Sequence, residues 1–219
     1  MPPSHDEVLR VDEHLVDVQS RLNDVFRNDL LAPVYCVREP TDDMTGATIS
    51  GGDSYHYYRE RLTNWQGPGF LLRIYREEMT RSAMNATVLH ELGHSMQTQM
   101  ILPYWPPEHY VMENRKQSVK QLSPFSIVHH CRWHRADFWR LAVHLWSRGV
   151  DNGFPCRIRD LGITWIDHDL MLETLRPEIK DFADMPVWKI ARRPVPRKFV
   201  KLFDVDLEDI ETLIPTQAP

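Results

Sequence analysis

The segment His90-Glu91-Leu92-Gly93-His94 constrains this chain more than any other. Two histidines four residues apart on an α-helix project from one face, one above the other, and can share a single metal ion. The glutamate directly follows the first histidine, so it can stand beside that ion as a general base without ligating it. That geometry requires a helix, and the flanking residues supply one. Residues 80–99 contain no proline, and Ala83, Ala86, Thr87, Leu89, His90, Gly93, His94, Met96 and Gln97 give a mostly apolar helical segment with both histidines on its buried stripe. Glycine in a helix interior costs about 1 kcal/mol against alanine. Gly93 therefore implies that another element, or the metal with its water, comes close to this turn. The alternative is a pair of core histidines satisfied by their neighbours, which leaves the glutamate and the glycine without roles.

The chain has 219 residues, enough for one compact domain with a real core or one domain with an appendage. Its net charge of −5 argues against a generally basic nucleic-acid binder. Seven tryptophans and seven tyrosines indicate a folded chain. The acidic, polar N-terminus does not read as a signal peptide. No apolar run approaches the roughly 20 residues that span a bilayer, so no membrane association is expected. Cys36, Cys131 and Cys156 are odd in number and far apart. They make neither a disulfide framework nor a CxxC metal knuckle, and a reducing, cytoplasmic setting follows as the simplest expectation.

Along the chain, Ser4 and Glu7 form a capping-box pattern at the start of a long helix, and Val8, Val11, Leu15, Val18, Leu22 and Val25 repeat at helical steps behind it. Pro33 ends that helix, residues 34–37 read as a short strand, and residues 41–53 as a turn or hairpin region. Residues 70–75 are the clearest strand. Pro103, Pro106 and Pro107 make residues 103–123 a loop. Ser123-Pro124 is a good helix start, with a helix reaching about Arg148 and Gly149 as its stop. Residues 156–163 suggest a strand, and residues 167–175 a short helix closed by Pro177. Asp167-His168-Asp169 resembles a metal motif, but a helix N-cap explains it more simply. Lys189, Arg192, Arg193, Arg197, Lys198 and Lys201 make a basic, proline-interrupted tail, and residues 204–214 are acidic with the look of a short helix. These elements predict an α+β fold, a few-stranded sheet packed on helices with the HExxH helix central. They divide into a domain over residues 1–150 and a C-terminal extension over residues 151–219. The basic tail suits either contact with nucleic acid or a solvated arm that wraps the domain, and the acidic whole chain favours the arm.

A catalytic zinc takes three protein ligands and leaves one position for water. The metzincin extension places glycine three and histidine six residues after the second histidine. Gln97 and Met100 stand there, which excludes that class. A gluzincin-type site uses a glutamate on a later helix, and Glu113 has a suitable separation, although it follows the proline-rich loop. His129, His130, His134 and His144 are the other candidates. His134 shares a helix face with Phe138, Leu141 and Leu145, which directs it towards the core where the HExxH helix packs. His130 lies one turn earlier on the same side. His144 is ten residues beyond His134, about 15 Å along a continuous helix, too far to share one ion with it. On residues alone, Glu113, His130 and His134 stay open.

HELGH preceded by a strand, then a helix opening with His134-Arg135-Ala136-Asp137-Phe138, resembles the SprT-like zinc metalloproteases and the related WLM proteases. The resemblance covers roughly residues 70–149. It implies a small minimal zincin fold, Zn2+ held by His90, His94 and His134, Glu91 as the catalytic base, and a protein or peptide as substrate. Arg135 stands where that family has glycine, and the stretch between His94 and His134 is longer. The cysteine zinc ribbon that follows the protease domain in many SprT-like proteins is absent from the sequence. The activity so implied is hydrolysis of peptide bonds by metal-activated water. Residues 70–75 offer an edge strand on which an extended substrate adds. Tyr104, His109, Tyr110, His129 and Arg135 are candidates for stabilising the transition state, none singled out by spacing. Two other readings compete. One is a regulator-cleaving peptidase resembling the ImmA family, with Glu113 as third ligand. The other is a non-catalytic, zinc-stabilised binding module, which needs a fourth protein ligand.

Overall fold

The structure, a computed structural model, describes residues 4–30, 33–38, 48–51, 70–101, 134–162 and 167–203. It is α+β, with small sheets packed on helices.

The chain opens with β1 (Val8–Arg10), which runs directly into α1 (Val11–Val25). The helix therefore starts later than the capping-box pattern places it. Ser4 accepts a hydrogen bond from the Asp6 N–H in a turn instead, and Val8 is exposed while Leu9 is buried, the alternation of a strand. Within α1 the stripe Val11, Leu15, Val18 and Leu22 is buried as its spacing predicts.

Three strands form the main sheet in the order β2 (Val34–Arg38), β4 (Phe70–Ile74), β3 (Thr48–Gly51). β2 runs parallel to β4 and β3 antiparallel to it. β4 is thus paired on both sides, which overturns its expected role as a free edge for substrate. Its sequence explains the central position: Leu71 and Leu72, successive residues on opposite faces, are both buried. β3 falls within the region read as a turn or hairpin; residues 41–47 and 52–69 lie outside the described residues.

β5 (Glu78–Thr80) pairs antiparallel with β1 and leads straight into α2 (Arg81–Ile101), the helix of the HELGH segment. The Thr80 hydroxyl accepts the Ala83 N–H and caps the helix. α2 packs against β3, β4 and β5 and against later helices, so it is the central helix of the fold.

α3 (Ala136–Asp151) crosses α2 and is buried without a break from Phe138 to Leu145, the pattern of a helix surrounded by protein. A bend at residues 134–135 precedes it, so no helix runs on continuously through His134 from Ser123-Pro124, which lies outside the described residues. Gly149 does not end α3. A Cβ there would lie 3.2 Å from Leu89 Cδ1 on α2, so the glycine serves the close approach of the two helices. The stop comes at Asn152 and Gly153, whose φ of 76° is the left-handed conformation glycine adopts freely.

The segment read as a strand at residues 156–163 holds a 3-10 helix, Ile158–Leu161, curled about the Ser82 hydroxyl, which accepts the Arg157 N–H and donates to the Asp160 carboxylate. α4 (His168–Asp181) starts on the expected Asp167 cap, which accepts the N–H groups of Asp169 and Leu170. It passes through Pro177 rather than closing there. Its last turn is anchored by Glu178, which takes hydrogen bonds from buried Arg140 (2.5 Å) and His144 (2.8 Å) of α3. α5 (Val187–Ala191) and α6 (Arg197–Val200) follow. Their Val187, Ile190 and Phe199 are buried, while Lys189, Arg192, Arg193, Arg197, Lys198 and Lys201 are exposed. The basic tail is thus an arm wrapped on the fold by its apolar residues.

One hydrophobic core joins Val11 and Leu22 of α1, Leu72 of β4 and Leu89 of α2 to Phe154, Met171, Leu175, Val187 and Phe199. A buried carboxylate ties its ends together. Asp29 accepts Arg148 Nη1 at 2.5 Å and the Val187 N–H at 2.6 Å, and Arg148 also donates to the carbonyls of Phe182 and Met185. Among the described residues, no helix is long and apolar enough to cross a membrane.

Candidate metal centre

His90 and His94 lie one turn apart on α2, and the bend before α3 brings His134 against them. The Nε2 atom of His134 is 3.0 Å from His94 Nε2 and 3.0 Å from His90 Nε2. The three candidate ligand atoms lie within 4.8 Å of one another. A tetrahedral zinc with bonds of about 2.05 Å would hold such nitrogens about 3.3 Å apart, so the spacing is close to that of a ligand set. Proton bookkeeping points the same way. His90 Nδ1 lies 2.8 Å from the Leu161 carbonyl, to which an Nδ1–H donates, and in that neutral tautomer Nε2 is the acceptor or ligand atom facing His134. His134 Nε2 carries at most one hydrogen, which cannot point at both neighbours. A cation among the three satisfies every lone pair at once.

The surroundings hold this geometry. His134 is 4% exposed and Glu91 6%, and His90 and His94 are half-buried. Glu91 Oε1 is 3.9 Å from His90 Nε2, beside the cluster and outside the ligand set. Phe138, one turn into α3, touches all three imidazoles: it stacks on His94 at 4.1 Å and meets His90 and His134 edge-on at 4.8 and 4.7 Å. Trp139 closes the side near His90 and His134, at 5.5 and 5.6 Å between ring centroids. Phe138 also accounts for Gly93. A Cβ on that glycine would lie 3.2 Å from Phe138 Cε2, so the element whose approach it permits is α3.

The structure therefore brings His90, His94 and His134 together with Glu91 alongside, and the three histidines can hold a metal ion. His144 is buried but bonds Glu178, away from the cluster. Arg135 is exposed. Glu113, His129, His130, Tyr104, His109 and Tyr110 lie outside the described residues. Sequence reasoning missed the Leu161 carbonyl, because a backbone acceptor 71 residues from its histidine has no side-chain signature. It also missed the Arg140–Glu178–His144 group, whose members are 38 and 34 residues apart and share no motif.

Compared with known proteins, the chain matches no family model, no curated sequence and no solved structure.

Proposed function

We propose that this chain is a zinc-dependent endopeptidase of SprT-like type, with a minimal zincin fold, that hydrolyses peptide bonds of a protein substrate in a reducing, cytoplasmic setting. The observation that carries the reading is the convergence of three Nε2 atoms beside the buried Glu91 carboxylate. His90, His94 and His134 would hold the ion, and three histidines leave a fourth position for water. Zinc held there would supply a bound water with its pKa lowered to about 7 and a Lewis acid for the substrate carbonyl. Glu91 accepts the proton of the attacking water and later delivers it to the leaving amine. The Leu161 carbonyl fixes the His90 tautomer, and Phe138 and Trp139 keep bulk water off the inner side of the rings. The free, buried thiols of Cys36 and Cys156 fit a reducing compartment.

The rival readings each lack such an observation. A glutamate-ligated site needs Glu113, which lies outside the described residues, whereas the contact of His134 with His90 and His94 supports the histidine reading. A purely structural zinc needs a fourth protein ligand, and among the described residues the cluster has three.

The test combines metal analysis with proteolysis of an unfolded protein substrate. The parent should carry one zinc per chain, lost in His90→Ala and His94→Ala. Glu91→Gln should keep zinc and fold but lose cleavage, because the near-isosteric amide cannot take the proton. Full cleavage by Glu91→Gln sinks the mechanism, and unchanged metal content in both histidine variants sinks the metal centre.

A further inference from the structure

On α2, Ser82 lies about two turns before His90, with Asn85 between them in sequence. Both are fully buried and polar, and both bind the segment that leads to Leu161. Asn85 Nδ2 donates to the Pro155 carbonyl at 2.8 Å. The Ser82 hydroxyl accepts the Arg157 N–H at 2.8 Å and donates to Asp160 Oδ2 at 2.5 Å. The 3-10 turn Ile158–Leu161 is thereby fixed along the helix, and its last residue presents the carbonyl that takes the His90 Nδ1–H. Gly162, at φ 89°, then turns the chain away.

A second layer braces the first from the N-terminal side. Asp6 binds Arg157 at 2.6 Å, and Glu7 binds Arg81 at 2.8 Å. The carbonyls of His5 and Glu7 accept the first N–H groups of α2, those of Ser82 and Arg81. Helix and turn are thus held to one another at the end away from the ligands.

We infer that Ser82 and Asp160 are positioning residues for the metal centre: through the 3-10 turn they hold the Leu161 carbonyl where it sets the tautomer and ring orientation of His90. The inference rests on the metal-centre reading above. Ser82→Ala leaves a carboxylate and an N–H without their shared partner and frees the turn to drift. An outer partner of a ligating histidine contributes about 10–100-fold to metal affinity, and that is the loss expected.

The experiment measures zinc affinity of the full chain by competition with a chromophoric chelator, well below the melting temperature. It also reads the His90 tautomer in the metal-free protein from long-range 1H–15N NMR. Ser82→Ala and Asp160→Ala should each weaken zinc binding by about tenfold or more and mix the His90 tautomers. Asp160→Asn, which keeps an oxygen acceptor for Ser82, should stay within about threefold of the parent and keep the parent tautomer, because the outer hydrogen bond survives. Should Ser82→Ala fail to fold, the half-buried Asp160 pair decides the question. Parent-like affinity and tautomer in Asp160→Ala and in any folded Ser82→Ala, with only the melting temperature lowered, would overturn the inference. Failure of the metal centre itself looks different: the parent would then bind no zinc.

Discussion

Gly93→Ala sets two magnitudes against each other. Replacing a helix-interior glycine by alanine gains about 1 kcal/mol of helix propensity. The new methyl, however, would lie 3.2 Å from Phe138 Cε2, 3.7 Å from Cζ and 3.8 Å from Cδ2. Carbon pairs settle at about 3.5–4.0 Å, so the ring must retreat by several tenths of an ångström. It has nowhere to go. Phe138 is fully buried, stacked on His94, and held edge-on by His90, His134 and Trp139, the last at 4.9 Å. Overpacking a core of this kind costs about 1–3 kcal/mol. The sum is a net destabilisation of between about 0 and 2 kcal/mol, and the displaced ring pushes on the ligands, so zinc affinity falls as well. Urea unfolding of the metal-free parent, Gly93→Ala, Phe138→Leu and the double variant reads the cycle. Leucine removes the clashing ring edge, so in its background Gly93→Ala should become neutral or stabilising by up to about 1 kcal/mol. A Gly93→Ala protein that by itself gains the full 1 kcal/mol or so over the parent would refute the tight contact.

The other predictions concern separate groups. His134→Ala should weaken zinc binding, read by chelator competition, by more than the roughly 10–100-fold typical of losing an outer partner. His144→Ala should keep the zinc and lose about 2 kcal/mol in urea unfolding, because it strips a hydrogen bond from a half-buried carboxylate. Burial alone would raise the Glu178 carboxyl, but the hydrogen bonds and charges of His144 and Arg140 together outweigh it and hold the group below its ordinary value. With the folded pKa depressed, this contribution to stability is complete above the unfolded value and disappears as pH falls through the folded one. Urea midpoints across acid pH should therefore fall less steeply in Glu178→Gln than in the parent. Burial pushes the thiols of Cys36 and Cys156 up to about 12, with Asp160 adding to the effect at Cys156. Both should stay unalkylated by iodoacetamide at pH 8 in the native protein and react after denaturation, as peptide mass mapping would show.

What could be read from the sequence divides by the range of the interaction. HELGH was legible because its geometry is local: four residues on a helix fix the relation of His90 to His94. The apolar face Phe138, Leu141 and Leu145 pointed to the core side of α3, where His134 also lies. The bend at residues 134–135 carried no comparable signal, so the start of α3 was placed too early. Residues 70–75 read as a strand edge open to substrate, yet the adjacent Leu71 and Leu72 already implied burial on both faces. Pro177 read as a stop because propensity is local, whereas the bonds that hold the turn beyond it come from Arg140 and His144 on another helix. The capping-box pattern at Ser4 lost to strand pairing with residues 78–80, a partner invisible to any local window.

The carboxylate of Asp29 has a consequence for how this chain comes into being. Its partner N–H on Val187 lies 158 residues downstream. A ribosome adding roughly 5–20 residues per second separates the two by roughly 8–30 s. In the course of that interval β4 and α2 are synthesised behind α1, while Val187 and Phe199, which complete their cover, are still to come. The nascent protein passes through a window in which its apolar surface is bare and the Asp29–Val187 hydrogen bond cannot form. That is the regime in which chaperone capture competes with aggregation, and a slower message over residues 150–187 lengthens it.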